Sequence, residues 1–254
     1  MARGEQSKRL RDRIRLAVPE FLRRRLIPFE FELERLAAAF CLRHESARLL
    51  DLAGGAAVYA PWAIALDRSA GALRFRSGAR ILADAHKLPL RAGCLDAICC
   101  SAALHHFKNP RKSLEEMHRS VKPGGELFLT IPWRFPRLEA ADDLHRFDRT
   151  GIVYLLRTTR WTVDRCDPIG GGYWVFARTW LEKLFNWTRG LKILVFLVSA
   201  PILGFVVPLG CFYLDRCDRR KDDTLGWVVI ARKKKSRLLD ARSLPAGVQE
   251  AFEL

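Results

Sequence analysis

Short apolar runs alternate with helical or loop segments through the first half of the chain. Their composition, without strict alternation of polar residues, is typical of strands buried on both faces of a sheet. The five runs are Ala47–Leu52, Ala63–Asp67, Arg80–Asp84, Cys94–Cys100 and Glu126–Ile131. Apolar residues recur at helical spacing in Phe29–His44 and in Pro110–Val121. This alternation predicts a mostly parallel α/β sheet with helices on both faces.

The second half of the chain contains a long uncharged stretch between two further predicted strands. A helix is predicted over Thr150–Arg157, and strands over Trp161–Cys166 and Leu225–Ala231. Between these strands, Ile193–Leu214 has no charged residue and as a helix would be about 33 Å long, enough to cross a bilayer core. A single crossing would separate two strands that we expect to pair. The stretch is therefore predicted to be re-entrant and folded at Pro201 to Pro208, to lie at a membrane interface, or to be buried as a helical cap.

These patterns divide the chain into five segments. They are a basic amphipathic N-terminal helical region (1–45), an α/β core (46–172), a hydrophobic membrane-associating insertion (173–221), the last core strand (222–235) and a C-terminal tail (236–254). The start of the chain, Met1–Arg25, is rich in arginine and lacks the apolar stretch of a secretory signal. We expect it to form a helix that lies on a membrane or on the protein itself.

The charge balance favours an anionic partner. Forty-four lysine and arginine residues against 28 acidic ones give a formal net charge of +16. Basic residues bracket the apolar insertion rather than interleave with aromatic residues on a polar surface. This arrangement favours an anionic membrane surface over nucleic acid. The seven cysteines are scattered without a C-x-x-C spacing, which predicts neither a metal site nor a disulfide framework.

Three acids stand at the ends of predicted strands. Asp51, Asp67 and Asp84 close the first three runs, and the carboxyl ends of parallel strands meet in one crevice where such sheets bind ligands. Small residues at Gly54 and Gly55 let a ligand approach the backbone closely. A carboxylate after the second strand is suited to accept both hydroxyls of a ribose. The sequence therefore predicts a site for a nucleoside-type cofactor.

Asp51–Pro132 resembles the class I S-adenosylmethionine-dependent methyltransferases, in particular the methyltransferase type 11 group. The motifs that carry the resemblance are Asp84–Leu90, Leu95–Ile98, Ser101–Phe107 and Val121–Gly125, and similarity extends through Asp143–Phe147 and Gly151 to Thr224–Trp227. The resemblance implies a Rossmann-like, seven-stranded α/β sheet with the hydrophobic helical insertion before its last strand. It also implies S-adenosyl-L-methionine as the cofactor.

The same resemblance assigns candidate site residues. The cofactor-binding residues would be Asp51, Ala53, Gly54, Gly55, Tyr59, Asp67, Arg68, Asp84, Ala85, Ser101 and Leu104. Within this set, Asp51 to Gly55 would lie under the methionine part, Asp67 would bind the ribose, and Asp84 with Ala85 would bind the adenine. The candidate catalytic residues are His106 and His145, as a base or in orienting the acceptor. A structural role for these histidines stays open, as does the choice between an Asp143–Arg146 pair and an anion bound by Arg146.

The loop after the first strand departs from the family pattern. Glycine usually occupies alternate positions there, but this chain has Ala53 and Ala57. Alanine disfavours the positive φ angles that glycine permits, so a non-catalytic copy of the fold, acting as a scaffold or binding protein, is a competing hypothesis. We expect a methyltransferase at the cytoplasmic side of a membrane, peripheral or monotopic, with an amphiphilic, lipid-linked or glycan-like acceptor. An RNA or DNA methyltransferase is a further hypothesis.

Overall fold

The structure is a computed structural model that describes residues 19–26, 28–54, 60–74, 76–135, 143–186 and 203–235. Its strands are β1 (Leu49–Leu52), β2 (Ile64–Asp67), β3 (Arg80–Leu82), β4 (Leu95–Ser101), β5 (Val121–Pro132), β6 (Trp161–Ile169) and β7 (Gly226–Lys233). Its helices are α1 (Glu20–Leu26), α2 (Pro28–Arg43), α3 (Ala70–Leu73), α4 (Pro110–Ser120), α5 (Arg149–Thr158), α6 (Gly172–Asn186) and α7 (Val206–Leu214), with a 3-10 turn at Leu104–His106. The predicted strands and helices are confirmed, although β5 and β6 are longer than the apolar runs that predicted them.

The strands form one seven-stranded sheet in the order β3-β2-β1-β4-β5-β7-β6. Neighbouring strands from β3 to β5 are parallel, whereas β7 is antiparallel to both β5 and β6. The predicted α/β fold with a helical insertion before its last strand is therefore confirmed. The chain steps from β1 outwards to β3 and then returns to β4 beside β1, so the strand order reverses between β1 and β4.

Alternate residues of the strands face two separate hydrophobic cores. On one face, Ile98 and Leu129 pack with Leu114 of α4 and Ile152 of α5. On the other face, residues of α2 cover the sheet, and Phe40 stacks on Phe128 with a distance of 5.1 Å between ring centroids. Because apolar residues are needed on both faces, the strands read as continuous apolar runs in the sequence.

The insertion begins and ends at the carboxyl edge of the sheet. Helix α6 starts three residues after Ile169, the last residue of β6, and β7 starts at its partner Gly226. The prediction that the flanking strands pair, and that the segment leaves and returns on one side, is confirmed. Since β6 runs parallel to β4 and β5, this edge also carries the carboxyl ends of the central strands.

The apolar stretch is not a single long helix where the structure describes it. Helix α7 begins at Val206, and residues 193–202 lie outside the described residues. Pro208 does not break the chain but lies buried in the first turn of α7, where a missing N–H costs no helical hydrogen bond. Among the helices of residues 19–186 and 203–235 that are described, none is both long and apolar enough to cross a membrane.

Both termini are described only in part. Residues 1–18 and the predicted tail 236–254 lie outside the described residues. Helix α1 packs against α7 of the insertion, whereas the rest of the described N-terminal region, α2, covers the sheet. The boundaries of the five segments stay predictions.

Candidate functional site

The three predicted acids lie along the carboxyl edge of neighbouring strands. Asp51 is in β1, Asp67 is the last residue of β2, and Asp84 follows β3 by two residues. Asp51 pairs in register with Ala65 of β2 and Cys99 of β4. Asp51 therefore borders the point where the strand order reverses, which is where α/β sheets of this kind bind ligands, and Asp67 and Asp84 follow on the next two strands.

Asp51 forms a buried ion pair with an arginine that no sequence pattern predicted. Arg76, in the loop between α3 and β3, has Nη2 2.6 Å from Oδ2 of Asp51. The Arg76 side chain is 4% exposed and that of Asp51 is fully buried. Burial raises the pKa of the Asp51 carboxyl, and the attraction of Arg76 offsets this only in part. No sequence signal marks Arg76, because its contact depends on the path of an irregular loop.

Gly54 lies against this ion pair. A Cβ atom built on Gly54 would lie 2.5 Å from Nη2 of Arg76 and 2.5 Å from Oδ1 of Asp51. These distances are far below van der Waals contact, so the pair and any larger side chain at this position exclude each other. Gly55 and Tyr59, predicted to bind the cofactor, and Ala57 lie outside the described residues.

Ala53 keeps the backbone shape that glycine would provide. Its φ is +54°, in the left-handed region, and its N–H donates to the carbonyl of Leu66 on β2 at 2.7 Å. The expectation that alanine prevents a positive φ here is wrong. The surrounding strands hold the residue in that conformation at a cost of about 1–2 kcal/mol. An alanine in place of the family's usual glycine is therefore compatible with the left-handed turn at this residue.

Asp67 and Arg68 follow the second strand directly. Oδ1 of Asp67 accepts a hydrogen bond from the backbone N–H of Ser69 at 2.8 Å, which fixes the carboxylate at the start of α3. Asp67 is half-buried and close enough to Asp51 to contribute to its raised pKa. Arg68 is exposed.

Asp84 is held by the histidine two residues on. Its Oδ1 accepts from the backbone N–H of His86 at 2.9 Å and lies 2.5 Å from Nδ1 of the ring. Nε2 of His86 accepts from the N–H of Asn109 at 3.0 Å, so the neutral ring carries its proton on Nδ1. The backbone N–H of His86, and then its ring, lower the pKa of Asp84. Ala85 between them is buried, and the sequence motif gave His86 no role.

Ser101 is the last residue of β4, and Leu104 begins the 3-10 turn that follows it. The hydroxyls of Ser101 and Thr130 lie 3.0 Å apart, and Thr130 Oγ1 also accepts from the N–H of Ala102 at 2.8 Å. Ala102 has a φ of +49°, a strained value for alanine that this pair of contacts holds in place. Leu104 is fully buried in the core, so it supports the edge from below.

Of the predicted catalytic histidines, His106 lies in the 3-10 turn, and His145 lies in a segment that is hydrogen-bonded to that turn. The rings of His105 and His106 have centroids 3.9 Å apart. The carbonyl of His105 accepts from the backbone N–H groups of Leu144 (3.1 Å) and His145 (3.2 Å), which binds segment 143–148 to the turn. The His145 ring stacks on Phe147, and its Nε2 is buried with no hydrogen-bond partner in the described part of the chain.

Arg146 pairs with Asp143 in the structure. Nη2 of Arg146 donates to Oδ2 of Asp143 at 2.6 Å, and Nη1 contacts Oδ1 and also donates to the carbonyl of His145 at 2.9 Å. The structural pairing left open by the sequence is therefore the one observed. Arg146 thereby fixes the backbone of His145.

Comparisons with known proteins agree with this geometry. Residues 50–129 match the family model of a methyltransferase domain, Methyltransf_11. Demethylmenaquinone methyltransferase of Mycobacterium sp. strain KMS is 37% identical over 90 residues, which cover 32% of this chain and 39% of that protein. The chain thus spans about two fifths of the length of the curated relatives that it matches.

Two solved structures share the fold. The 4+2 cyclase SpnF is 18% identical, with 80% of this chain and 81% of that chain covered and a TM-score of 0.52. A putative sarcosine dimethylglycine methyltransferase from Galdieria sulphuraria is 15% identical, with 79% and 84% covered and a TM-score of 0.52. At these identities the likeness extends to the fold alone.

Proposed function

We propose that this chain, whose residues 50–129 match the family model of a methyltransferase domain, is a class I S-adenosylmethionine-dependent methyltransferase. It would methylate an amphiphilic acceptor at an anionic membrane surface on the cytoplasmic side. One observation carries the methyl-transfer part: Asp51, Asp67 and Asp84 stand at the carboxyl ends of three neighbouring strands, next to a loop that keeps the left-handed turn at Ala53. The match to demethylmenaquinone methyltransferases supports a quinone-type acceptor among the amphiphilic candidates.

The residues of the crevice fit the cofactor. Gly54 brings the loop backbone against two buried charged groups with no side chain between them, and the half-buried Asp67 ends the neighbouring strand β2 at the same edge. Asp67 would hold the ribose, Asp84 with Ala85 the adenine, and residues 51–54 the methionine part. When bound, S-adenosylmethionine supplies a methyl group on a positively charged sulfur, so alignment of the acceptor contributes much of the acceleration.

His145 is suited to accept a proton from an acceptor hydroxyl. Nε2 of His145 would accept the proton that the hydroxyl loses on methylation, and the cofactor would supply the methyl group. Two backbone hydrogen bonds to His105 and the ring stack on Phe147 hold the imidazole. The adjacent His106 is half-buried and would orient the acceptor. A neutral imidazole is required for this step, as is usual for a histidine base near neutral pH.

We propose that the insertion makes the contact with the membrane. Tyr173, Phe176 and Trp180 recur at helical spacing on α6, and Phe176 is 54% exposed. On α7, Val206 is 62% exposed. Exposed apolar and aromatic side chains on two adjacent helices are suited to enter the interfacial region of a bilayer.

Basic residues adjoin this apolar surface. Lys183 of α6 is exposed, as are Arg216, Arg219 and Arg220 just after α7, and the nearby Asp223 is already paired with Arg134. Each lysine or arginine near an anionic leaflet contributes about 1 kcal/mol. Since the insertion starts at the edge that carries the crevice, docking through α6 and α7 brings that edge close to a lipid-borne acceptor.

Asp67→Ala is expected to weaken binding of S-adenosylhomocysteine by roughly 10- to 100-fold, because a charge-assisted pair of ribose contacts is lost. Isothermal calorimetry measures this with the wild type alongside. Asp67→Asn retains an acceptor for the Ser69 N–H, so it separates loss of the ribose contact from loss of the turn. Asp164→Ala, on the far strand β6, serves as the control. Absence of binding by a folded wild type would leave the scaffold hypothesis in place of the enzyme.

Replacing both Phe176 and Val206 by Asp is expected to reduce binding to phosphatidylglycerol-containing vesicles by roughly 10-fold or more, because two apolar contacts are lost. Vesicle flotation measures this binding, and phosphatidylcholine vesicles serve as the uncharged comparison. Tyr154→Asp, at an exposed aromatic of α5, is the matched control. Unchanged binding by the double variant would contradict the membrane role, and steeply salt-dependent binding of nucleic acid would favour an RNA or DNA acceptor.

A further inference from the structure

His86 joins two parts of the carboxyl edge that the functions assigned so far leave separate. Its backbone N–H and its ring nitrogen Nδ1 both contact Oδ1 of Asp84, the acid proposed to bind the adenine. Its other ring nitrogen, Nε2, accepts a hydrogen bond of 3.0 Å from the backbone N–H of Asn109, 23 residues further along the chain. One imidazole therefore connects the loop after β3 with the segment after β4.

The segment that His86 contacts follows directly on the turn proposed to bind the acceptor. The Phe107 ring, just after the 3-10 turn, lies against the imidazole with 6.0 Å between the ring centroids. Asn109 caps the start of α4 with its side chain. The carbonyl of His105, within the turn, accepts from the backbone N–H of His145. The contacts of His86 are thus made next to the turn that holds the proposed base.

The Asp84 carboxylate is open to a ligand while it contacts the ring. Its side chain is 64% exposed, and both contacts with His86 are made by Oδ1, which leaves Oδ2 to accept from a ligand. A ligand on Oδ2 would restrict the carboxylate, and the ring in contact with Oδ1 would be restricted with it. The entropy that the ring loses at this step is not lost again when the turn becomes ordered. Occupancy of Asp84 would therefore favour an ordered turn.

We propose that His86 is a positioning residue that couples occupancy of the adenine site to ordering of the acceptor-binding turn. The inference rests on the proposed function, because it takes Asp84 as the adenine ligand, and it adds that the acceptor side is completed once the cofactor is bound. Both ring nitrogens are needed, since a neutral imidazole has one donor for Asp84 and one acceptor for Asn109. Couplings between two sites change a binding constant by about 5- to 150-fold, and a connection through one side chain is expected near the lower limit.

Two variants separate the two nitrogens of the imidazole. His86→Asn keeps a donor near the position of Nδ1 but has no group that reaches Asn109. His86→Gln places a carbonyl oxygen near the position of Nε2, where it can accept from Asn109, but loses the side-chain contact with Asp84. In both variants the backbone N–H of residue 86 still donates to Asp84, so we expect S-adenosylhomocysteine to bind and to be saturating at sufficient concentration.

Amide hydrogen exchange of the full chain, followed by NMR with and without saturating S-adenosylhomocysteine, measures the coupling. In the wild type we expect the ligand to slow exchange by roughly 5-fold or more at residues 85–88 and also at His106, Phe107 and Asn109. In His86→Asn the slowing should persist at 85–88 and disappear in the turn. In His86→Gln the turn should be as protected as in the ligand-free wild type but should not respond to the ligand. A purely structural brace would leave that response intact.

His44→Gln provides the matched control. The ring of His44 contacts the carbonyl of Phe40 at 2.9 Å, between α2 and the start of β1, at the amino edge of the sheet. This variant should show the response of the wild type in both regions. If it loses the response in the turn as His86→Gln does, the effect comes from a general loss of stability and the proposal is overturned.

The remaining outcomes separate the inference from the proposed function. If the ligand slows exchange at 85–88 alone in the folded wild type, the coupling is overturned while the cofactor assignment stands. If His86→Gln responds as the wild type does, the turn is ordered without the Asp84–His86 contact, and the coupling is likewise overturned. If His86→Gln does not fold, an unchanged response in His86→Asn has the same meaning. If the folded wild type does not bind S-adenosylhomocysteine, the proposed function fails together with the inference.

Discussion

Gly54→Ala is expected to destabilise the protein by about 3 kcal/mol and to abolish detectable binding of S-adenosylhomocysteine. The added methyl group would lie 2.5 Å from both Nη2 of Arg76 and Oδ1 of Asp51. Those atoms are side-chain ends, but both side chains are buried and face each other. The steric clash with the added methyl group can therefore be relieved only if the ion pair opens. Denaturant unfolding followed by circular dichroism measures the stability, and calorimetry measures the binding.

Gly71→Ala provides the matched control. Its Cβ would meet only Oγ of Ser69, at an ordinary 3.5 Å, on the exposed helix α3. Alanine is favoured over glycine in helices by up to about 1 kcal/mol, so this variant should be as stable as the wild type or slightly more so. If Gly54→Ala behaves like Gly71→Ala in both measurements, the ion pair has room to move and Gly54 is not needed for it.

Asp215→Ala is expected to release the insertion, at a cost of about 2 kcal/mol, because it leaves the buried N–H of Gly171 without an acceptor and the N–H of Trp174 with only the carbonyl of Gly171. Asp215 is 2% exposed, follows α7, and accepts from the N–H of Gly171 at 2.9 Å and of Trp174 at 3.2 Å, at the start of α6. It is thus the clamp between the two insertion helices. Limited proteolysis within 172–225 should accelerate, and vesicle binding should fall, while cofactor affinity is retained.

The same aspartate is expected to make the free energy of unfolding depend on pH. Burial raises the pKa of Asp215, and the hydrogen bonds from Gly171 and Trp174 oppose this only in part. The folded state thus binds the proton more tightly than the unfolded state. The stabilisation from protonated Asp215 is full below the ordinary aspartate pKa and is lost as the pH rises through the raised value. Asp215→Asn should remove this component of the pH dependence of unfolding. An unchanged pH dependence, or exposed Asp222→Ala loosening the insertion equally, would contradict the clamp.

The sequence alone predicted those elements that depend on local residue patterns. Buried parallel strands need apolar residues on both faces, so β1, β2 and β4 read as continuous runs, and the acids Asp51 and Asp67 come directly from their positions in those runs. The pairing of the last two strands was expected, but the full strand order, with β7 between β5 and β6, was not predicted, because periodicity does not specify which strands pair.

Features that depend on tertiary contacts could not be predicted from the sequence alone. Arg76 is one of many arginines in a basic chain, and only the loop path brings it to Asp51. Ala53 contradicts its own conformational preference, because its hydrogen bond to Leu66 and the adjoining strands outweigh an unfavourable φ. Pro208 suggested a break, but a first-turn proline is compatible with α7. In each case, packing or the position of the residue within its element outweighed its local conformational preference or sequence signal.

The pairing of Ile169 with Gly226 shows where the insertion is joined to the sheet. Two residues that face each other across an antiparallel ladder can be joined by a turn of two residues, so residues 170–225 occupy the place of a hairpin turn. Loop-closure entropy grows only logarithmically with length, and extending a two-residue turn to this size costs about 3 kcal/mol before any contacts form. The insertion can therefore be exchanged without changing the strand order. A different segment at this turn would bring the same edge of the sheet to a different surface.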